Sequence, residues 1–204
     1  MTEMTKSRAE TTPLRVAAPP PLVALVTALS GRLGGVELVE LPDVAGRRAA
    51  LVRGEVDVAA HSYLELGQEP TGERIDGVEL VAVPKRGSPE LPPAVWPAAW
   101  GLEPLALEVA TGVAKDVRRR IAKLDHRPTR LIAGAERAVL AGFAGEATRV
   151  AARAALEDGL LFVTATVYGE DGAAVRTASH AAYPEDSADP AAELAARVVA
   201  ELRA

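Results

Sequence analysis

The stretch GEVDVAAHSYLELG, residues 54–67, brings together side chains able to do chemistry. A nearly all-apolar run ends in His61 and Ser62, and a carboxylate, Glu65, follows just beyond. An imidazole and a carboxylate at the end of a buried strand are suited to general acid–base work if burial raises the carboxyl pKa. Ser62 beside them could hold a substrate group. Lys85 and Arg86 close the run VELVAVPKR and could hold an anionic group. Plainer readings stand beside these. His61 and Ser62 can satisfy local backbone groups, a loop carboxylate is usually solvated, and two cations can end an edge strand in water.

These residues need elements to position them. LRVAA (14–18) is a short β-rich run, followed by Pro19, Pro20 and Pro21, and then by Leu22, Leu25, Leu29 and Leu33 at helical spacing. Gly34 and Gly35 end that helix. VELVEL (36–41) alternates as a strand, Asp43 opens a helix over VAGRRAALVR, and Gly54 closes it. VDVAAHS (56–62) is the third strand, apolar enough to be covered on both faces. The order β-α-β-α-β predicts a parallel sheet with right-handed crossovers. In such sheets ligands bind at the carboxyl ends of the strands, where His61, Ser62 and Glu65 fall.

VELVAVPKR (78–86) and PLALEV (104–109) read as further strands, separated by a region with Pro89, Pro92, Pro93 and Pro97 that sustains neither a helix nor a central strand. KDVRRRIAKLD (115–125) carries Val117, Ile121 and Leu124 on one face, with the RRR run on a solvated flank, and RLIAGAERAVLAGF (130–143) is a second helix. The remainder changes character. TRVAARAAL, LLFVTATVY and VRTASHAAY are three strands joined by EDG and GEDGAA, which is hairpin chemistry. A final helix starts at Asp189 and Pro190 and turns Leu194, Val198 and Leu202 inward.

Composition narrows the function. With Cys 0, disulfides, thiolate metal sites and cysteine nucleophiles are excluded within the 204 residues. A net charge of −5 disfavours nucleic acid, which needs a basic footprint. The opening MTEMTKSRAETT lacks the apolar core of a signal peptide and reads as a disordered tail over 1–13. PPLVALVTALSG falls short of a membrane span. An acidic cytoplasmic protein is therefore expected. His126 and His180 stand far from His61 with no metal-ligand spacing, so no metal site is expected.

In this order, LVRGEVDVAAHSYLEL, VELVAVPKRGSP, PLALEV and RLIAGAERAVLAGF resemble hydroxymethylbilane synthase, also called porphobilinogen deaminase, the tetrapyrrole-pathway enzyme family. Members read G-E-hydrophobic-D-hydrophobic-A-x-H-S-x-K-D, then A-V-P-K-R-E-D, A-L-A-I-E and T-A-E-R-A-F-L. The resemblance spans 14–204 apart from one gap. It implies an α/β N-terminal domain over 14–110, with a parallel-rich sheet like half of a periplasmic binding protein. It also implies a small α+β domain over 111–204, a three-stranded antiparallel sheet with helices. The proline-rich 87–103 stands where the family has a whole second domain carrying an S-S-L-R-R motif.

The departures bear most on function. Members attach a dipyrromethane cofactor through a cysteine in a G-G-C loop, and that position falls on Ala147 in FAGEATRVAA. The resemblance thus implies no cofactor attached through sulfur. The catalytic aspartate of H-S-x-K-D falls on Glu65 and its lysine neighbour on Leu64. The arginine and serine of T-R-x-S fall on Pro19 and Pro21, and proline offers an anion no donor. The expectation is a shortened member that does not polymerise porphobilinogen and acts as a binding or interaction protein. A homodimer or a protein partner is expected over the face left by the absent domain, with Trp96 and Trp100 folded over that surface or meeting the partner. The alternative is altered chemistry on a small acidic or pyrrolic substrate, with Glu65 and His61 as acid–base residues and Ser62, Lys85 and Arg86 binding it.

Overall fold

The computed structural model describes residues 12–66, 74–85 and 104–204. Arg86, the proline-rich 87–103 with both tryptophans, and nearly all of the tail expected over 1–13 lie outside the described residues.

Six strands, β1 (Leu14–Ala18), β2 (Val36–Glu40), β3 (Val58–Ser62), β4 (Arg74–Ile75), β5 (Val78–Ala82) and β6 (Leu105–Ala110), form one sheet in the order β2-β1-β3-β6-β5-β4. β1 is parallel to β2 and to β3, as the β-α-β-α-β reading requires. The whole sheet is mixed, with parallel pairings at β1 and antiparallel ones beyond β3, in keeping with an α/β unit. β6 enters between β3 and β5 and runs antiparallel to both. Its apolar alternation is the same read in either direction, so periodicity could not reveal its sense.

Helices cover both faces. Leu14, Val16 and Ala18 of β1, Val58 and Ala60 of β3, and Leu105, Leu107 and Val109 of β6 face one side. There they meet α1 (Val23–Ala28), α2 (Ser30–Leu33) and α4 (Lys115–Ala122). Fully burying each valine or leucine among them contributes about 1.5–3 kcal/mol. The single helix expected over 22–33 is broken. A 3₁₀ turn at Pro20–Leu22 precedes α1, and Gly34, at φ +74°, ends α2. Leu22, Leu25, Leu29 and Leu33 are nevertheless all buried.

The opposite face receives α3 (Val44–Val52), whose first turn is capped by Asp43 accepting from the Gly46 N–H at 2.6 Å. Ile121 and Leu124 belong to the core of this large sheet. Hence α4 packs with the first unit, although the sequence boundary placed it in the second. The RRR run lies on a solvated flank, with Arg118 and Arg119 exposed, and two of its members reach inward: Arg118 pairs with buried Glu79 at 2.5 Å and Arg120 donates to the Leu33 carbonyl.

β7 (Arg149–Glu157), β8 (Leu160–Tyr168) and β9 (Ala174–Ala182) form a separate antiparallel sheet in that order. Asp158 and Gly159, at φ +49° and +82°, make the tight β7–β8 turn, which needs two left-handed residues. One face of this sheet packs under α5 (Arg127–Ala141) and α6 (Pro190–Arg203), burying Leu161, Val163, Leu194, Val198 and Leu202. The other face carries polar cross-strand pairs, Thr164 with Ser179 at 2.8 Å and Thr166 with Thr177 at 3.0 Å. α5 joins the two units, since its Ala133 packs with Tyr63, Leu80 and Ala106 of the first.

Candidate functional site

Strand alternation places His61 on the α3 side of the sheet. Ala59 sits opposite Glu108 in the β3–β6 register, so His61 and Glu108 are diagonal neighbours on one face. The small Ala59 and Ala106 leave room between them. Into that room α3 lowers Arg47 and Arg48, Arg47 sharing the inward stripe of Ala50 and Leu51.

The result is a chain of charged groups. Arg48 clamps Glu108 with two bonds, at 2.9 and 2.7 Å. Glu108 Oε2 lies 3.1 Å from His61 Nε2, close enough for the ring to favour the charged carboxylate but without the alignment of a full hydrogen bond. On the other ring nitrogen, His61 Nδ1 accepts from Arg47 Nε at 3.1 Å. Arg47 also donates to the carbonyls of Leu41 and Pro42, at 2.9 and 2.8 Å, and its remaining nitrogen lies 3.5 Å from Glu65 Oε2.

Burial decides the charges. His61 is 0% exposed and Arg47 1%. Burial is the main force lowering the His61 pKa, and because Arg47 donates to Nδ1 the proton of the neutral ring belongs on Nε2, facing Glu108. Burial alone would raise the Glu108 pKa. The Arg48 clamp and the His61 contact outweigh it and hold the carboxyl at about 2.

His61 therefore carries no free ring nitrogen toward solvent. Both of its ring nitrogens are turned to Arg47 and Glu108. Ser62 is also buried, on the opposite face of β3. Glu65 is the accessible member: it stands in a 3₁₀ turn, Tyr63–Leu66, with 47% of its side chain exposed, and Arg47 fixes it from behind. Lys85 is exposed, one residue beyond Pro84, whose backbone pairs with Asp125. Arg86 is outside the described residues. Ala147 is exposed in the loop before β7.

Arg47, Arg48 and Glu108 were missed at the sequence level. Two signals were available: a carboxylate inside the apolar strand PLALEV, and an arginine in helical register with Ala50 and Leu51.

The residues present do not fit a sulfur-linked dipyrromethane. Ala147 has no nucleophile, and Pro19, buried at the end of β1, has no N–H to give a carboxylate. His126 caps α5 by accepting from the Thr129 N–H at 3.3 Å, and His180 pairs with Glu201 at 2.8 Å. Among the described residues no cluster of three potential metal ligands occurs, and no helix is long and apolar enough to cross a membrane.

Two curated proteins are similar to this chain. A porphobilinogen deaminase of Leifsonia xyli is 39% identical over 198 aligned residues, covering 83% of this chain and 60% of the relative. A porphobilinogen deaminase of Sphingopyxis alaskensis is 35% identical over 136 residues, covering 64% of this chain and 38% of the relative. The match thus spans 60% or less of the length of either. No family model matches the chain.

Proposed function

This chain belongs to the hydroxymethylbilane synthase family, and from that premise we propose that it is a member without porphobilinogen-polymerising activity that acts by binding a small molecule or a partner. One observation carries the proposal: the loop that in the family bears the anchoring cysteine bears Ala147, and the sequence contains no other cysteine to take its place. Pro19 and Pro21 at the positions of the family's anion-binding arginine and serine support it. So does His61, whose two ring nitrogens are both turned to buried partners. The partner-binding form of the proposal rests on the span 87–103, far shorter than a second domain, and includes self-association.

The test is incubation with porphobilinogen, followed by the aldehyde colour reaction for pyrroles and an intact mass. The expected result is unconsumed porphobilinogen and a protein mass equal to that of the bare sequence. Substrate consumption, or a mass increased by a dipyrrole, overturns the proposal. Sedimentation checks the self-associating form, which a strictly monomeric particle would rule out.

A second reading is favoured by Glu65, a carboxylate at the family's catalytic position that is accessible and braced by a buried arginine. In this reading Glu65 is a general acid or base for a small acidic or pyrrolic substrate, with Lys85 and Arg86 attracting the anion. Any turnover so detected should vanish in Glu65→Gln.

A further inference from the structure

The two sheets end in the edge strands β2, β4, β7 and β9, and the first three are blunted. β2 carries Glu37 and Glu40, and β4 is only two residues long. β7 carries Arg149, Arg153 and Glu157, and at its middle the Ala154 N–H, pointing away from β8, is taken by the buried Glu136 carboxylate at 3.0 Å. Charges and covers of this kind keep an edge from pairing with another chain.

β9 has neither. It runs through Ala174–Ala182 without proline, lysine or an acidic side chain, and its Arg176 is turned to the helix side, where it donates to the Leu202 carbonyl at 3.0 Å. The direction of its peptide groups follows from its neighbours. Because Ala154 turns its N–H away from β8, the facing Val163 turns its own toward β9, and so does Gly169, whose N–H reaches the Ala173 carbonyl at 2.9 Å. His180, opposite Val163, therefore directs its peptide groups to β8, while those of Thr177, Ser179 and Ala181 point outward. Among the described residues these outward groups have no partner.

The side chains of β9 complement one another when two copies meet antiparallel about Ala178, the register that overlaps the whole strand. Thr177 then stands opposite Ser179 of the second copy on the open face, and Ser179 opposite its Thr177. This extends the hydroxyl rows that already join Thr164 to Ser179 and Thr166 to Thr177. Val175 and Tyr183, 65% and 47% exposed at opposite ends of the strand, are brought together across the seam. Parallel pairing would leave them a strand's length apart. On the helix side, Arg176 comes opposite His180 of the second copy, whose ring is held by Glu201 at 2.8 Å. The other Glu201 oxygen has no partner among the described residues and is free to take the Arg176 charge.

We infer that β9 is a self-association edge, at which two copies of this chain pair antiparallel about Ala178 and join their three-stranded sheets into one continuous sheet across a two-fold axis. This goes beyond the proposed function, since nothing in it draws on the span 87–103 or on the strand-end site.

The chain has no cysteine, so single cysteines placed on the open face of β9 report the register directly. Opposed residues of a hydrogen-bonded pair lie about 5.5 Å apart at Cα, within disulfide reach, whereas diagonal ones lie roughly 7–8 Å apart, beyond it. In a glutathione redox buffer, a mixture of full-length Thr177→Cys and Ser179→Cys chains should therefore form a covalent heterodimer, identified by intact mass, about tenfold faster than either variant links to itself. Sedimentation of the unmodified chain up to roughly 1 mM should show a reversible dimer. Ala181→Pro removes an outward N–H and leaves the β8 ladder intact, so it should weaken that dimer about tenfold. The inference is overturned by a particle that stays monomeric over this range, by a mixture that links no faster than the single variants, or by an Ala181→Pro chain that dimerises like the unmodified one. A dimer that fails the cysteine test leaves self-association through another surface standing and sinks only the β9 edge. Should Ala181→Pro misfold, the cysteine mixture decides alone.

Discussion

Glu108→Gln is the sharpest perturbation available, because it removes one charge from the centre of the buried network and changes little else in volume. The carboxyl moves from an ordinary 4.5 to about 2 on folding, a shift in the direction that favours the charged form. At 1.36 kcal/mol per pKa unit, this corresponds to about 3 kcal/mol of stability at neutral pH. The figure agrees with the 3–5 kcal/mol typical of removing one partner of a buried ion pair. The sign follows from linkage. A depressed carboxyl pKa contributes its full stabilisation above pH ~4.5 and loses it as pH falls toward 2, because the unfolded chain takes up the proton first. The difference between the two proteins should therefore be about 3 kcal/mol at pH 7 and shrink to about 1.5 kcal/mol by pH 3. Urea titrations at both pH values measure it. A difference below 1 kcal/mol at pH 7, or one that does not change with pH, would show that Arg48 and Glu108 do not couple as their geometry requires.

Three further outcomes are expected. Long-range ¹⁵N NMR should find His61 as the neutral, Nε2-protonated tautomer at pH 7, since burial lowers its pKa and Arg47 donates to Nδ1; an imidazolium signal there would contradict the network. Because that pKa is depressed, the stability His61 contributes is present above about pH 6.5 and declines as pH falls below it. Gly142→Ala should destabilise by about 1–3 kcal/mol in thermal unfolding, although Gly142 has helical φ, because the new methyl would lie 2.7 Å from Val199 Cγ2; an unchanged melting temperature would mean that α6 shifts freely. Ala147→Cys should react quickly with iodoacetamide and leave stability within about 0.5 kcal/mol, the residue being exposed, yet show no dipyrrole mass after incubation with porphobilinogen. Acquisition of a dipyrrole would refute the reading of Pro19 and Pro21 as an obstacle to the cofactor.

Much of the scaffold was legible because its signals are local. Asp43, Asp189 and the glycine after α2 mark helix ends through hydrogen bonds or φ values that they make with near neighbours. The Asp158-Gly159 turn declares its hairpin in the same way. The nearly continuous apolar run of β3 revealed that it is covered on both faces. The family motifs pointed to the strand end at His61 and Glu65 for a related reason: they are contiguous stretches.

By itself the amino-acid sequence determined that these 204 residues hold no thiol, and it revealed most of the strands and helices that form. Only the tertiary structure decided that β6 inserts antiparallel between β3 and β5, that α4 packs with the first sheet, and that His61 is locked between Arg47 and Glu108. A residue's type and spacing specify its backbone preferences and its face. Which distant charge it meets on that face, 14 residues away for Arg47 or 60 for the Arg48–Glu108 pair, depends on how strands are ordered in the sheet.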